Sequence, residues 1–501
     1  MHLYDMRALI SSILLLVWVS SAWGQERCHI TADRAHYCAG EHLYFSVTAL
    51  DDAGISDQSA IAYVGLYSAE GLAASAKAEL IEGRGGGEMA LPASLATGNY
   101  LLVAWSRAGL RYDNAPVISV YNPASTRRTG EVLVLNEFPA QRAETARTSV
   151  ERSFDEPVTL SVSLVRDNGL PEYGSVTGGL LAGTPAAEPE GEVVTVRIAG
   201  NENYEELEAF IAVPGSDQFY PATIGPGGVV RFQTENLRGH QDVAFVIGKD
   251  DQVGQYTIDV ESPFPAAIDA TIPPLQLAPA MRGTLSSLGN AAIDTLPDRF
   301  PARKPASLYG DRETHFSYIL NDYNRFPTMR ETLIEFVSDI RARQLNGKTD
   351  LRVRYREDVG GNFHFDKGRS LTLLDGVPVF QQHLLYEYDP SLVERIDVYR
   401  GIYFLGNNYF SGIANFVTFG RNLPGFTFGG DVKILEFDGV SPVRAYSGGH
   451  ETLYWNPLLR LEAGQPLRIA LPETAAGSYI LTIEGYTASG RPVRETIHLA
   501  R

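Results

Sequence analysis

Short apolar runs punctuated by turn residues over most of the chain predict a multidomain, mainly β protein with one smaller α+β unit towards its C-terminal third. Three observations carry this expectation. At 501 residues the chain is too long for one hydrophobic core, and roughly three or four domains is the prior for that length. Segments such as His42-Leu43-Tyr44-Phe45-Ser46-Val47 and Tyr100-Leu101-Leu102-Val103-Ala104-Trp105 have strand length and composition, and turn residues such as Asp51-Asp52-Ala53-Gly54 and Gly83-Arg84-Gly85-Gly86-Gly87 separate them. One segment, starting at Thr328, carries helix-start signals.

Residues 1–24 read as a cleaved secretory signal: Ala8 to Val19 is a largely apolar run, and Ala22-Trp23-Gly24 offers a small-residue cleavage site before Gln25. Gln25-Glu26-Arg27 before Cys28 does not suit acylation, and no later transmembrane helix is expected in the mature chain. The formal charge of −18 argues against nucleic acid and anionic lipid as partners. Cys28 and Cys38 would meet an oxidising compartment. Their closeness suggests a disulfide pinning the first hairpin, contributing about 2–3 kcal/mol; two buried free thiols are the alternative.

Residues 28–122 alternate apolar and polar positions as an antiparallel sandwich does. With ITADRAHYCAGEHLYFSV at 30–47 and LPASLATGNYLLVAW at 91–105, this stretch (25–122 as a unit) resembles the macroglobulin-like domains of the α2-macroglobulin superfamily. The superfamily's reactive thioester needs a CGEQ-type sequence. Cys38-Ala39-Gly40-Glu41-His42 is no more than an echo of it, so that chemistry is not implied.

Residues 131–183 read as the first half of a second such sandwich, with a strand at Pro157 to Val165. The missing half is expected at 445–501, because LPETAAGSYILTIEGY at 471–486 echoes 91–105, with Gly477-Ser478-Tyr479 standing for Gly98-Asn99-Tyr100. Residues 192–262 form a smaller all-β unit that resembles the transthyretin-type, carboxypeptidase-regulatory-like sandwiches. Residues 263–312 hold Pro263, Pro265, Pro273, Pro274, Pro279, Pro297, Pro301 and Pro305 and are expected to be an extended linker.

Thr328 with Glu331 makes a capping box, and Met329, Leu333, Phe336, Val337 and Ile340 recur at helical spacing, predicting a helix through about Arg343. Beyond it, 371–419 contains Asp375-Gly376-Val377-Pro378, the strand around Arg395 to Tyr399, Arg400-Gly401, and a glycine-punctuated turn with Gly406 and Gly412. Residues 315–423 thereby resemble the plug domain of TonB-dependent outer-membrane receptors. A receptor's barrel needs several hundred residues; the stretch after Leu423 is far shorter and has soluble-sandwich patterning, and no TonB box stands near residue 25. The resemblance implies a plug without a barrel of its own.

No nucleophile elbow, His-Glu-x-x-His helix, phosphate-binding loop or Cys-x-x-Cys pair is present, so no catalytic, cofactor-binding or metal residues are assigned and no enzyme activity is expected. His36, His42, His240, His364, His383, His450 and His498 lack ligand spacing. Asp375 and Gly376 are expected to serve a tight turn. Tyr403, Phe404, Tyr409 and Phe410 are the candidate contact surface, with strand core as the competing reading. Two functions remain. One is a periplasmic or outer-membrane-associated protein of a Gram-negative envelope whose plug-like domain docks on or occludes a barrel, or a secretion or transport complex, made by another chain. The other is a binding or adhesion module for protein or carbohydrate.

Overall fold

The computed structural model describes residues 26–136, 147–216, 218–249, 253–279, 281, 315–345, 348–354, 356–357, 363–364, 368–405, 408–447, 451–473 and 477–501. The signal-peptide reading, Gly406 and residues 280 and 282–312 of the expected linker lie outside these residues. The fold is mainly β, built from several sheets with few helical turns.

The first sandwich follows from period-two alternation. In the strand His42–Asp51, Leu43, Phe45, Val47 and Ala49 are buried and meet Val64, Leu66, Leu102 and Ala104 from the opposing layer. Each such side chain contributes about 1.5–3 kcal/mol on burial. The long strand Arg111–Tyr121 ties the layers together, pairing with Arg27–Ala32 at its start and with His36–Cys38 and Gly98–Trp105 at its end. The strands Ile61–Ser68 and Gly98–Trp105 are buried on both faces. Their outer face is covered by Phe264, Ile268, Ile272 and Leu181, with Phe264 edge-on to both Tyr63 and Trp105 at 5.7 Å.

That cover corrects the linker expectation for 263–279. Tyr67 Oη donates to the Pro265 carbonyl at 3.1 Å and Asn99 Nδ2 to the Pro273 carbonyl at 3.0 Å, while Leu275–Leu277 pairs with Val132–Val134. Prolines suit this strap because it needs few backbone donors. Likewise Ser175–Leu180, expected in the second sandwich, pairs with Arg111–Tyr121 of the first.

In the second sandwich, Val158–Arg166 lies between Thr452–Leu461 and Ser478–Thr487, with Val158 opposite Thr487 and Arg166 opposite Tyr479. Pro492–Ala500 extends this sheet, and Ser149–Arg152 with Leu467–Ala470 forms the other layer over Leu160, Val162, Leu481 and Ile483. The chain between Arg166 and Tyr446 is therefore one long excursion from this sandwich. The third unit has Val193–Gly200 between Val229–Gln233 and Tyr256–Val260, facing a sheet of Phe219–Thr223, Glu208–Ala212 and His240–Ile247. Its last strand, Val432–Asp438, comes from beyond the 192–262 boundary. The unit is anchored to the first sandwich by a buried pair, Lys77 Nζ to Glu192 Oε1 at 2.7 Å.

The α+β unit has the sheet order His315–Ile319, Val393–Leu405, Asn408–Thr418, Leu371–Leu374, Val377–Pro378. Thr328 caps the helix by accepting from Glu331 N, but the helix is Met329–Glu335, not a span through Arg343. Ile340–Leu345 is a strand hairpinned with Lys348–Val353. Ile340 and Ala342 fit a two-residue period as well as the helical one, and the backbone turns at Phe336–Asp339 to bury the Asp339 carboxylate.

Both cysteines are buried free thiols, which corrects the expected disulfide. Cys28 sits opposite Tyr112 and Cys38 opposite Tyr121 on the same strand. Nine residues of extended strand separate those positions by roughly 30 Å, whereas a disulfide needs Cα atoms within about 7 Å. Burial, reinforced by Glu26 for Cys28 and by Glu41 for Cys38, raises both pKa values, Cys38 to about 11.

Candidate functional site

The hairpin Val393–Leu405 and Asn408–Thr418 builds the candidate surface. A register shift between Tyr399 and Ile402 contains Gly401, whose φ of +121° falls where a side chain is strained. Beyond it, strand alternation separates the four candidate residues into two faces. Tyr403 and Phe410 are direct cross-strand partners, 7% and 1% exposed, and pack into a core with Phe210, Phe219, Phe380 and Leu371. They are not a contact surface, which corrects that part of the expectation. Phe404 and Tyr409, the next cross-strand pair, point the other way and are 80% and 48% exposed, with ring centroids 6.3 Å apart. Ile402, not singled out from the sequence, is exposed beside them; its two-residue offset from Phe404 was the available signal.

The hairpin is fixed from beneath. Asp375 and Gly376 have φ of +47° and +83°, as a two-residue hairpin loop between Leu374 and Val377 demands. The Asp375 carboxylate accepts from Thr418 N and Oγ1 at 2.7 Å each and from Leu423 N at 2.9 Å, so it organises the strand end rather than facing a cleft. Gly215 N donates to the Asp375 carbonyl at 2.8 Å, and a Cβ on Gly376 would lie 2.3 Å from the Ser216 carbonyl. The loop is thus wedged into the third unit. Val377 and Pro378 are buried edge residues. Gly412 approaches Val353 too closely for a side chain.

Arg400 belongs to a buried ion cluster. Asp339, fully buried, accepts from Arg400 Nη2 at 2.8 Å and Nε at 2.9 Å, from Tyr318 Oη at 2.7 Å and from Arg354 Nε at 2.5 Å. Burial alone would raise this carboxyl; the hydrogen bonds from Arg400, Tyr318 and Arg354 outweigh it and hold it below the ordinary carboxylate value. No sequence motif marks Asp339, since its partners lie on separate strands.

No protein-family model matches the chain, and no curated protein matches it. The chain is similar to solved α2-macroglobulins of bacteria. Against a trypsin-activated α2-macroglobulin from Escherichia coli the identity is 10%, covering 96% of this chain and 24% of that one, with a TM-score of 0.15. Against a Salmonella α2-macroglobulin mutant the identity is 9%, the coverage 95% and 39%, and the TM-score 0.23. Against dimeric latent PorU from Porphyromonas gingivalis the identity is 10%, the coverage 95% and 34%, and the TM-score 0.16. The chain spans between about a quarter and two fifths of the length of these three proteins.

Among the described residues no group of three or more His, Cys, Asp or Glu side chains is placed to hold a metal ion, and no helix is long and apolar enough to cross a membrane. Tyr386 and Tyr388 pack near the short helix, Tyr388 Oη donating to the Pro424 carbonyl at 2.5 Å. Trp455 of the 452–461 strand is buried.

Proposed function

We propose that the chain is an exported, non-enzymatic docking protein of a Gram-negative envelope, whose 315–423 unit engages an outer-membrane barrel or secretion complex made by another chain. The single observation that carries this is the Ile402, Phe404 and Tyr409 face. It is an exposed aromatic and aliphatic surface on a hairpin whose opposite face is locked into a core. Rigid exposed aromatics are the anchors that interfaces use. Charge distribution agrees with it: residues 315–423 carry thirteen Lys and Arg against thirteen Asp and Glu, so the whole −18 lies elsewhere. The neutral unit can approach an anionic envelope surface while the acidic sandwiches stay away from it. Its plug-like motifs point to a barrel as the partner.

The second reading is a binding module for protein or carbohydrate. It is favoured by a cleft of about 230 Å³ between the first two sandwiches, lined by Thr31, Ser163, Asn168 and Thr482. Photo-crosslinking from position 404 or 409 in intact envelope separates the two. An adduct with an outer-membrane barrel or secretion component supports docking; recovery in mild detergent with no envelope partner, and no adduct, overturns it.

A further inference from the structure

The seam between the first and second sandwiches is polar. Thr31 Oγ1 donates to Ser161 Oγ at 2.9 Å, Ser46 Oγ to the Pro457 carbonyl at 2.8 Å, and Tyr446 Oη to Asp33 Oδ2 at 3.0 Å. The apolar cores of the two sandwiches stop on either side. Interfaces of this kind permit relative motion.

Within the seam lies His29, with a side chain 5% exposed. Its Nδ1 is 2.9 Å from Asp113 Oδ2 of its own sandwich, and its Nε2 is 3.4 Å from Glu484 Oε2 of the other. The remaining charged and titratable neighbours are few. Arg27 Nε holds Asp113 Oδ1 at 3.1 Å and Arg27 Nη1 approaches Asp52 at 3.8 Å. Arg494 Nε lies 3.4 Å from Glu484 Oε1, and its Nη2 is 3.5 Å from His29 Nε2. Tyr486 meets the imidazole edge-on at 5.6 Å.

We propose that His29 is a protonation-dependent latch that joins the two sandwiches. A neutral imidazole has one N–H and serves one carboxylate; the imidazolium has two and serves both. Asp113, closer and held by Arg27, retains the single proton donor when His29 is neutral. Glu484 then faces a bare lone pair and keeps Arg494, and the imidazolium–carboxylate ion pair across the seam is replaced by a hydrogen bond from Arg494 Nη2 to the neutral ring at 3.5 Å. Burial would depress the imidazole's pKa, but the hydrogen bonds and charges of Asp113 and Glu484 raise it above the usual value. The latch is therefore complete below the ordinary imidazole pKa and is lost as pH rises through the higher folded value.

The test uses the full mature chain with spin labels at Asp57→Cys and Glu462→Cys, read from about pH 5 to about pH 9, a range that brackets the ordinary imidazole value. The expected result is a narrow inter-sandwich distance distribution that broadens with rising pH, at the midpoint where the His29 imidazole titrates by NMR. In His29→Gln the pH dependence disappears. Glu484→Gln keeps the volume and moves the His29 midpoint down, giving a readout if His29→Gln fails to fold. An invariant distribution, a transition that survives His29→Gln, or a midpoint unmoved by Glu484→Gln overturns the latch.

Discussion

Replacing Asp339 by asparagine removes the negative charge at the centre of a buried cluster while keeping its shape. The consequence can be sized from the geometry. Arg354, 4% exposed, loses its ion pair with Asp339, while Arg400, about a quarter exposed, can turn towards water. Breaking a buried pair from one side costs about 3–5 kcal/mol, and the outward escape of Arg400 places Asp339→Asn near the lower end, about 3 kcal/mol. Trp105 and Trp455 both lie in other units, so tryptophan fluorescence serves as a control that should not move. Hydrogen exchange in peptides covering Met329–Glu335 and Val393–Leu405 is the assay. A loss of about 3 kcal/mol appears there as a fall in protection of more than a hundredfold. Because the carboxyl's pKa is depressed, its contribution is present above the ordinary carboxyl value and is lost as pH falls through the lower folded one. A protection change below about fivefold at neutral pH, under 1 kcal/mol, would refute the reasoning.

Neighbouring side chains give two further expected outcomes. Phe410→Ala should destabilise the hairpin by about 3–5 kcal/mol, whereas Phe404→Ser should leave stability within about 0.5 kcal/mol and abolish partner crosslinking; chemical denaturation and envelope crosslinking read the two effects. Thiol titration of the protein should find Cys28 and Cys38 unreactive when folded and both reactive in denaturant, and reductant should leave the melting temperature unchanged.

Particular residues explain what could be read in advance. The strand His42–Asp51 announces itself by Leu43, Phe45 and Val47, because one buried face imposes a two-residue period. The likeness of 91–105 to 471–486 suggests one sandwich for Val158 to Val165 and Tyr479 to Glu484, and in the structure these strands are hydrogen-bonded neighbours. Asp375-Gly376 is legible because few residue pairs tolerate the backbone of that turn. The rest depended on partners distant in sequence. Ile340 satisfies helix and strand periods alike, and the burial of Asp339 decides between them. Ser175–Leu180 joins the first sandwich because Gly178 and Gly179 let it lie tightly against Tyr112. Cys28 and Cys38 look adjacent on paper, yet the chain between them runs the length of Arg111–Tyr121. Of the aromatic cluster, alternation could divide Tyr403 from Phe404; which of them faced the core depended on Phe210 and Phe219 in another unit.

The excursion from Arg166 to Tyr446 has a temporal meaning. During synthesis, Val158–Arg166 emerges long before Thr452–Leu461 and Ser478–Thr487, the two strands that flank it. Until they arrive it is an unpaired apolar strand, the kind of edge that recruits other chains. The intervening third and α+β units carry cores built largely within the excursion, so they can collapse first and shorten the effective loop that the late strands must close. Assembly of the second sandwich is then the last event, and truncation anywhere before Ser478 leaves an aggregation-prone strand exposed, however well the inserted units fold.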